Sequence, residues 1–336
     1  MIALNNQLFW KNSKPNSSKS CWPIYLFFEK ETKEFSRKMH EILIEKIENF
    51  PKSFLAHIDN RSLKINVKID SHIVILDGQA CNYINGNSDT RKCYICLKRG
   101  QEFSNQPLDQ NCQNEYAVKS NLGIKPLHTT IRTFEKLLQI RYEKNFEVCG
   151  KIESKDVKKC LALKNKEILS REKKLIHQKF WDELKIDVDR PRQGFGSTTD
   201  GNCAKTAFAN YSQTAKILEI DEELIKLLNK FIKLMYSCDT IRMEDFENLA
   251  SKVKLQRSSC FPSKNLTPTL HLALDHGSSI IEKLHFMPGM FSEEGLEATH
   301  KIIRNTMIKF SRNNSRNEKL KDILKRLFFD AYISIE

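Results

Sequence analysis

The sequence is poor in residues that break or loosen a chain. Eleven glycines and nine prolines are scattered through 336 residues, too few for a collagen-like or low-complexity polymer. Hydrophobic residues make up 40%, too many for a disordered one. No apolar run approaches the length of a membrane span. Met1 to Trp10 carries no basic stretch followed by an apolar one, so no secretory leader is read there. Acidic residues are in deficit: 42 Asp and Glu stand against 55 Lys and Arg, for a formal net charge of +13. The remaining class is a globular chain of one large domain or two ordinary ones. Its positive excess is spread along the chain, which suits a long polyanion such as nucleic acid and equally suits a lysine-rich solvated surface. Ten cysteines at irregular spacing, read without a leader, imply reduced thiols in cytosol or nucleus. There a close Cys pair reads as a metal site before a disulfide.

Residues 8–24 read as an extended polar loop restricted by Pro15 and Pro23. Phe35, Met39, Leu43 and Ile47 recur at three-to-four spacing and predict a helix over 29–50, stopped by Pro51. The period then changes. Leu63, Ile65, Val67 and Ile69 alternate with Lys64, Asn66, Lys68 and Asp70, which predicts a half-buried strand. After a turn at Ser71-His72, the run Ile73 to Leu76 reads as a buried strand ending at Asp77-Gly78. From about residue 115 the pattern is helical. Ile131, Phe134, Leu138 and Tyr142 form one stripe over 128–145, and a basic helix fills 151–185. A loop covers 190–202, and helices follow over 203–254 with a break near Ser237-Cys238. A connector at 255–269 leads to helical regions at 269–285 and 292–334. The expected fold class is α+β, mostly α: a short strand-bearing piece followed by a long helical body.

Two groups of residues carry chemistry. Cys93-Tyr94-Ile95-Cys96 is a Cys-x-x-Cys knuckle, whose two-residue spacer turns both thiolates onto one tetrahedral ion. His271 and His276 are candidates for the other two ligands, with Cys112 and His128 as local alternatives. Five residues in a regular helix fall about 140° off register, so the His pair fits only if the helix ends near Gly277 and swings the second ring inward. Otherwise both are polar residues near a helix end. Among carboxylates, Asp77 stands where a buried strand meets Gly78. That is a place for a catalytic metal ligand, and it is also an ordinary Asp-Gly turn. Glu297 shares a helix face with His300, Lys301 and Arg304, while Leu296, Ile303, Met307 and Phe310 form the expected inward stripe. An acid beside three potentially positive side chains suits a metal-assisted phosphate site. It also suits a surface pair of Glu297 with Lys301. Ser292 is read as the cap of this helix, with Glu293 and Glu294 at its positive end.

The residues also resemble a known family. Phe9-Trp10-Lys11-Asn12 with Pro15, Ser17, Ser18, Cys21, Pro23 and Ile24 resembles a segment of the Transib-type DNA transposases, relatives of the catalytic subunit of the V(D)J recombinase. So do Asp77-Gly78-Gln79-Ala80-Cys81-Asn82 and the knuckle that follows. So do Leu122 to His128 with Arg132, Phe134 and Glu135, the loop Gly194 to Asn202, and His271 to Gly277. The last block is Ser292-Glu293-Glu294 with Glu297-Ala298 and Lys301. The blocks occur in the family's order along nearly all of the chain.

The resemblance implies a partial RNase H-like core, its first strands missing, interrupted by a long zinc-bound helical insertion. It divides the chain into an extended linker segment (1–28), a partial core with the second catalytic Asp (29–92), a zinc-linked helical insertion (93–288) and C-terminal helices with the catalytic Glu (289–336). It puts the second and third acids of a two-metal site, holding Mg²⁺ or Mn²⁺, on Asp77 and Glu297, and a structural zinc on Cys93, Cys96, His271 and His276. It implies double-stranded DNA with transposon terminal repeats as partner, a homodimer whose active sites are each built within one chain, no membrane, and action in the nucleus. The implied chemistry is nicking by water, hairpin formation by the freed 3′-hydroxyl and joining to target DNA. Two departures accompany it. The family's first Asp belongs upstream of every block matched here, so the chain is expected to lack it and to be catalytically incomplete. Where the family has Arg-Asn-Lys, this chain has Thr299-His300-Lys301, which changes the side chains offered to DNA. Two other functions fit the same residues: a domesticated, non-catalytic DNA-binding product, and a zinc-stabilised interaction module with no nucleic-acid role.

Overall fold

Helices dominate the protein, and the strands that accompany them are short. The computed structural model describes residues 2–4, 7–10, 17, 29–30, 32–50, 53–58, 61–66, 76, 78–87, 89–103, 122–146, 155–192, 196–197, 199–284, 287–312 and 314–333. No helix among them is long and apolar enough to cross a membrane.

Among the described residues the strands form three antiparallel pairs: β1 (Ile2–Leu4) with β2 (Gln7–Trp10), β3 (Ser53–Ile58) with β4 (Arg61–Asn66), and β5 (Pro191–Arg192) with β6 (Gly196–Ser197). The first pair corrects the loop expected over 8–24, because Leu8 to Trp10 pair with β1. The alternation at Leu63 and Ile65 does mark a strand, β4. Its partner β3 carries no period-two signal, yet Phe54 stands opposite Ile65 and Ala56 opposite Leu63. The expected continuation through Val67 and Ile69, the run Ile73 to Ile75, and Asp77 lie outside the described residues.

The first helix, α1 (Lys33–Glu48), starts where the Thr32 hydroxyl accepts from the Phe35 amide at 3.1 Å and stops before Pro51. It packs on α2 (Gly78–Ile84). Lys33 Nζ donates to the Gly86 carbonyl at 2.9 Å, and Arg37 Nε to the Tyr83 carbonyl at 3.2 Å. Gly86 is left-handed with φ 79°, and a Cβ there would also meet the Arg37 guanidinium at 2.9 Å. That turn therefore needs glycine.

The helical body begins with α3 (Pro126–Tyr142), whose first-turn proline costs no hydrogen bond. The stripe expected on it is the packed one: Phe134, Leu138 and Tyr142 are buried, and Ile131 rests against the core. The long α4 (Lys155–Leu184) lays Ile176 and Phe180 into the same core, with Phe180 edge-on to Phe134 at 5.6 Å between centroids. Next come α5 (Gly201–Ala209), α6 (Tyr211–Leu218), α7 (Glu222–Met235) and α8 (Met243–Cys260). Asp200 caps α5 through the Cys203 amide, and Asp221 caps α7 through the Leu224 amide, each at 2.9 Å. The central helix is α7, with Leu224, Ile225, Leu228, Phe231 and Met235 buried. The connector expected from residue 255 begins only after Cys260, because α8 runs that far. Two short helices, α9 (Pro268–Asp275) and α10 (Gly277–Leu284), then turn back over α3 and α8, and α11 (Glu294–Lys309) pairs with α12 (Arg316–Ile333).

One charged contact sits inside this packing. Arg141, with a side chain 4% exposed, reaches Glu172 on α4 at 2.9 Å and Glu219 after α6 at 2.8 Å. Desolvation makes a broken buried pair expensive, because the surviving charge has no water to return to. Glu172→Ala is therefore expected to lower stability by about 3 kcal/mol in urea unfolding. Arg141→Met combined with Glu172→Leu is expected to lose less than Glu172→Ala alone. A double variant at least as unstable as the single one would show that the pair is held for its attraction and not merely for its neutrality.

Candidate metal centre

Cys93 and Cys96 follow α2 in a tight knuckle. The Leu97 amide donates to the Cys93 carbonyl at 2.9 Å, and the Cys93 amide to the Lys98 carbonyl at 2.9 Å. Lys92 and Arg99 close the loop as an isolated antiparallel bridge. Leu97 takes the left-handed conformation, φ 59°, that lets the chain double back under the two sulfurs. Both thiols are buried.

The imidazoles come from the junction of α9 and α10. His271 lies within α9, with Thr267 capping that helix by accepting from the Leu270 amide at 3.2 Å. Asp275 is the last helical residue, and His276 is the C-cap, φ −115°, before α10 starts at Gly277. The break at His276 takes the second ring out of the helical register. Gly277 permits the close turn: a Cβ there would sit 2.8 Å from the Phe246 ring.

The four side chains meet. One ligand atom from each of Cys93, Cys96, His271 and His276 lies within 4.8 Å of the others, and all four residues are buried. Cys96 Sγ is 3.2 Å from His271 Nε2. The two rings stand nearly perpendicular, 88° apart, with centroids 5.1 Å apart. Tetrahedral zinc with two sulfur and two nitrogen ligands holds its donors about 3.3–3.8 Å apart, given its bond lengths. The donor set therefore fits a metal ion such as zinc. A second observation agrees: His276 Nε2 is buried without a well-formed hydrogen bond, a cost that a coordinated ion removes.

Without an ion, the four groups share protons unequally, and Cys96 is the one held as a ready thiolate ligand. The hydrogen bond from Cys93, and then the two imidazoles beside it, hold the Cys96 thiol well below its ordinary range. Cys93 is pushed up by that same contact and by burial. Burial lowers the basicity of His271, but its hydrogen bonds to Asp275 and Cys96 outweigh this and raise it. Asp275 Oδ2 lies 2.8 Å from His271 Nδ1, and Asp275 Oδ1 accepts from Lys254 Nζ at 2.9 Å. A proton on Nδ1, on the side of Asp275, leaves Nε2 as the nitrogen that faces Cys96. Phe103 stacks on the His271 ring at 4.2 Å and 20°, covering one of its faces.

No known family model and no curated protein matches this chain.

The other candidates fall elsewhere. Asp77 and Cys112 lie outside the described residues. His128 is not drawn into the metal cluster. Its Nδ1 instead lies 3.1 Å from the buried carboxylate of Glu293. Glu297 is half exposed in the first turn of α11, with His300 Nδ1 4.0 Å away, and Lys301 and Arg304 are exposed along that helix. Among the described residues, the Cys/His cluster is the one group of three or more Cys, His, Asp or Glu side chains close enough to share an ion. The inward stripe expected on α11 is corrected. Leu296 and Phe310 are exposed, while Gly295, Thr299 and Thr306 are buried. Small residues let this helix approach closely, and the Thr299 hydroxyl satisfies itself on the Gly295 carbonyl at 2.8 Å.

The cap is also corrected. Ser292 accepts from the Glu294 amide at 3.3 Å, and Glu293 turns away to accept from the Leu127 amide at 3.3 Å at the start of α3. Glu294 pairs with Lys205, whose ammonium lies 3.8 Å over the Tyr236 ring. These long-range pairs carry no periodicity and have no local signal in the sequence.

Asp275→Asn keeps the size of the side chain and removes its charge. It is expected to weaken metal affinity by about 10–100-fold in competition with a chromophoric chelator. An unchanged affinity would mean that Asp275 serves only Lys254.

Proposed function

We propose a transposase-derived function: cleavage and strand transfer of double-stranded DNA at transposon ends, with the helical body as its zinc-tied scaffold. One observation supports it most. The four residues that the resemblance assigns to zinc include Cys96 and His271, 175 positions apart in sequence, and all four converge in one buried cluster. A closed Cys₂His₂ set leaves no open position, so its contribution is folding energy and not catalysis.

On this reading Asp77 and Glu297 would hold Mg²⁺ or Mn²⁺. Bound there, such ions activate an attacking oxygen and stabilise a leaving one. The chain's own part is to bind and orient the duplex. Exposed Lys301, Arg304 and His300 flank Glu297 and would meet backbone phosphates, supported by the net charge of +13. The reading includes a homodimer acting in the nucleus.

A second reading is a DNA-binding product kept without catalysis. It is favoured by a metal cluster and apolar core that close without using Glu297.

Two of the three carboxylates called for by the resemblance are matched in this chain. Duplex binding is the activity that both readings share. Fluorescence anisotropy with a labelled duplex should show affinity that falls steeply with salt. Lys301→Gln with Arg304→Gln should reduce the salt slope by about one per lost phosphate contact. Mg²⁺-dependent nicking that Asp77→Ala abolishes would contradict the second reading. Absence of salt-dependent binding would overturn both.

A further inference from the structure

Beside the metal cluster, a cavity of about 450 Å³ opens between the knuckle, the start of α3 and the start of α9. Its charge is one-sided. Lys92, Lys125, His128 and Arg132 line it, and none of the described lining residues is acidic.

Lys125 is the anomaly. It is 2% exposed, as deeply buried as the aromatic core. Its Nζ donates to the Cys81 thiol at 3.1 Å and lies 5.2 Å from the centre of the Tyr94 ring. Among the described residues it has no carboxylate partner. Arg141, the other deeply buried cation with its contacts described, has two. A buried ammonium without an anion costs several kcal/mol, and Lys125 is also one of the residues that line the cavity. Lys92 also has no carboxylate partner among the described residues. Arg132 shares Glu135 at 2.8 Å on the exposed rim, and His128 shares Glu293.

The rest of the wall offers neutral donors, with Thr90, Thr267 and Thr269 among them. Thr267 and Thr269 stand at the positive end of α9. Tyr94 is the one aromatic among the lining residues. Its hydroxyl is engaged by the Gly123 carbonyl at 3.3 Å, and its ring lies beneath Lys125. The wall thus has little surface on which a base could stack and much that attracts an oxyanion.

We propose that this cavity binds a phosphate group, with Lys125 and Lys92 supplying the charge and Arg132 closing the rim. On the transposase-derived reading the phosphate belongs to a DNA strand, and this part of the inference rests on that reading. The anion preference does not, since a free phosphate-bearing small molecule offers the same chemistry.

The test uses the full chain loaded with zinc. Inorganic pyrophosphate is titrated by calorimetry, and a labelled duplex by anisotropy in the same buffer. Pyrophosphate is expected to saturate one site. Lys92→Gln with Arg132→Gln, both away from the packed core, should weaken it by about tenfold or more while zinc content stays unchanged. Lys125→Met should abolish it if that variant folds. Competition between pyrophosphate and duplex, both weakened by the double variant, supports a DNA phosphate in the cavity. Pyrophosphate binding that the double variant weakens, with duplex binding absent or untouched, supports the cavity with a small phosphate ligand and counts against the DNA reading there. Duplex binding without saturable pyrophosphate binding, or pyrophosphate affinity unchanged in the double variant, overturns the cavity proposal and leaves the DNA reading standing.

Discussion

A buried meeting of two thiols and two imidazoles joins distant parts of this chain. The knuckle of Cys93 and Cys96 is a short stretch outside any helix, and the α9–α10 junction is a pair of two-turn helices. Neither segment has the length that makes a helix or turn stable by itself. Their contact gives each a fixed partner, and the donor set gives that contact the chemistry of a metal site. Much else follows from where it lies. The start of α3 passes beside it, so Tyr94 reaches the Gly123 carbonyl, and Lys125 is carried into the interior. Asp275 and Lys254 extend it outward to α8, tying the junction to the central helices.

Charge inside the protein is managed in contrasting ways. Around Arg141 the fold supplies two carboxylates from separate elements, so α3, α4 and the turn after α6 are held in one register. At the start of α11, Glu293 neutralises the positive end of α3 and the edge of His128, and Glu294 neutralises Lys205. Lys125 receives a thiol and an aromatic ring instead. Lys125 lines the cavity without a carboxylate partner among the described residues, and the proposed external anion would supply that charge.

The sequence made the helical elements legible where a stripe was long and its ends were marked. Pro51 ends α1, and the apolar spacing along α3 gives the residues that pack. The His271 and His276 pair was legible in part. Spacing alone leaves it open, and Gly277 hints at the helix break that brings the second ring round. Strand β3 was hidden because its pairing with β4 is decided by a neighbour and not by its own alternation. The buried face of α11 was misread because Thr299 and Thr306 are polar by type yet small, and Thr299 satisfies its own hydroxyl within the helix. Contacts such as Lys125 with Cys81, or Glu293 with His128, join residues far apart in sequence. No window of local pattern contains them.

The central claim is that the knuckle and the α9–α10 junction close on one metal ion. Elemental analysis of the purified chain tests it most directly, with His271→Ala/His276→Ala as the comparison. One zinc per chain, lost in the double variant, is the predicted result. No zinc, or zinc content that the two histidines do not affect, would contradict it.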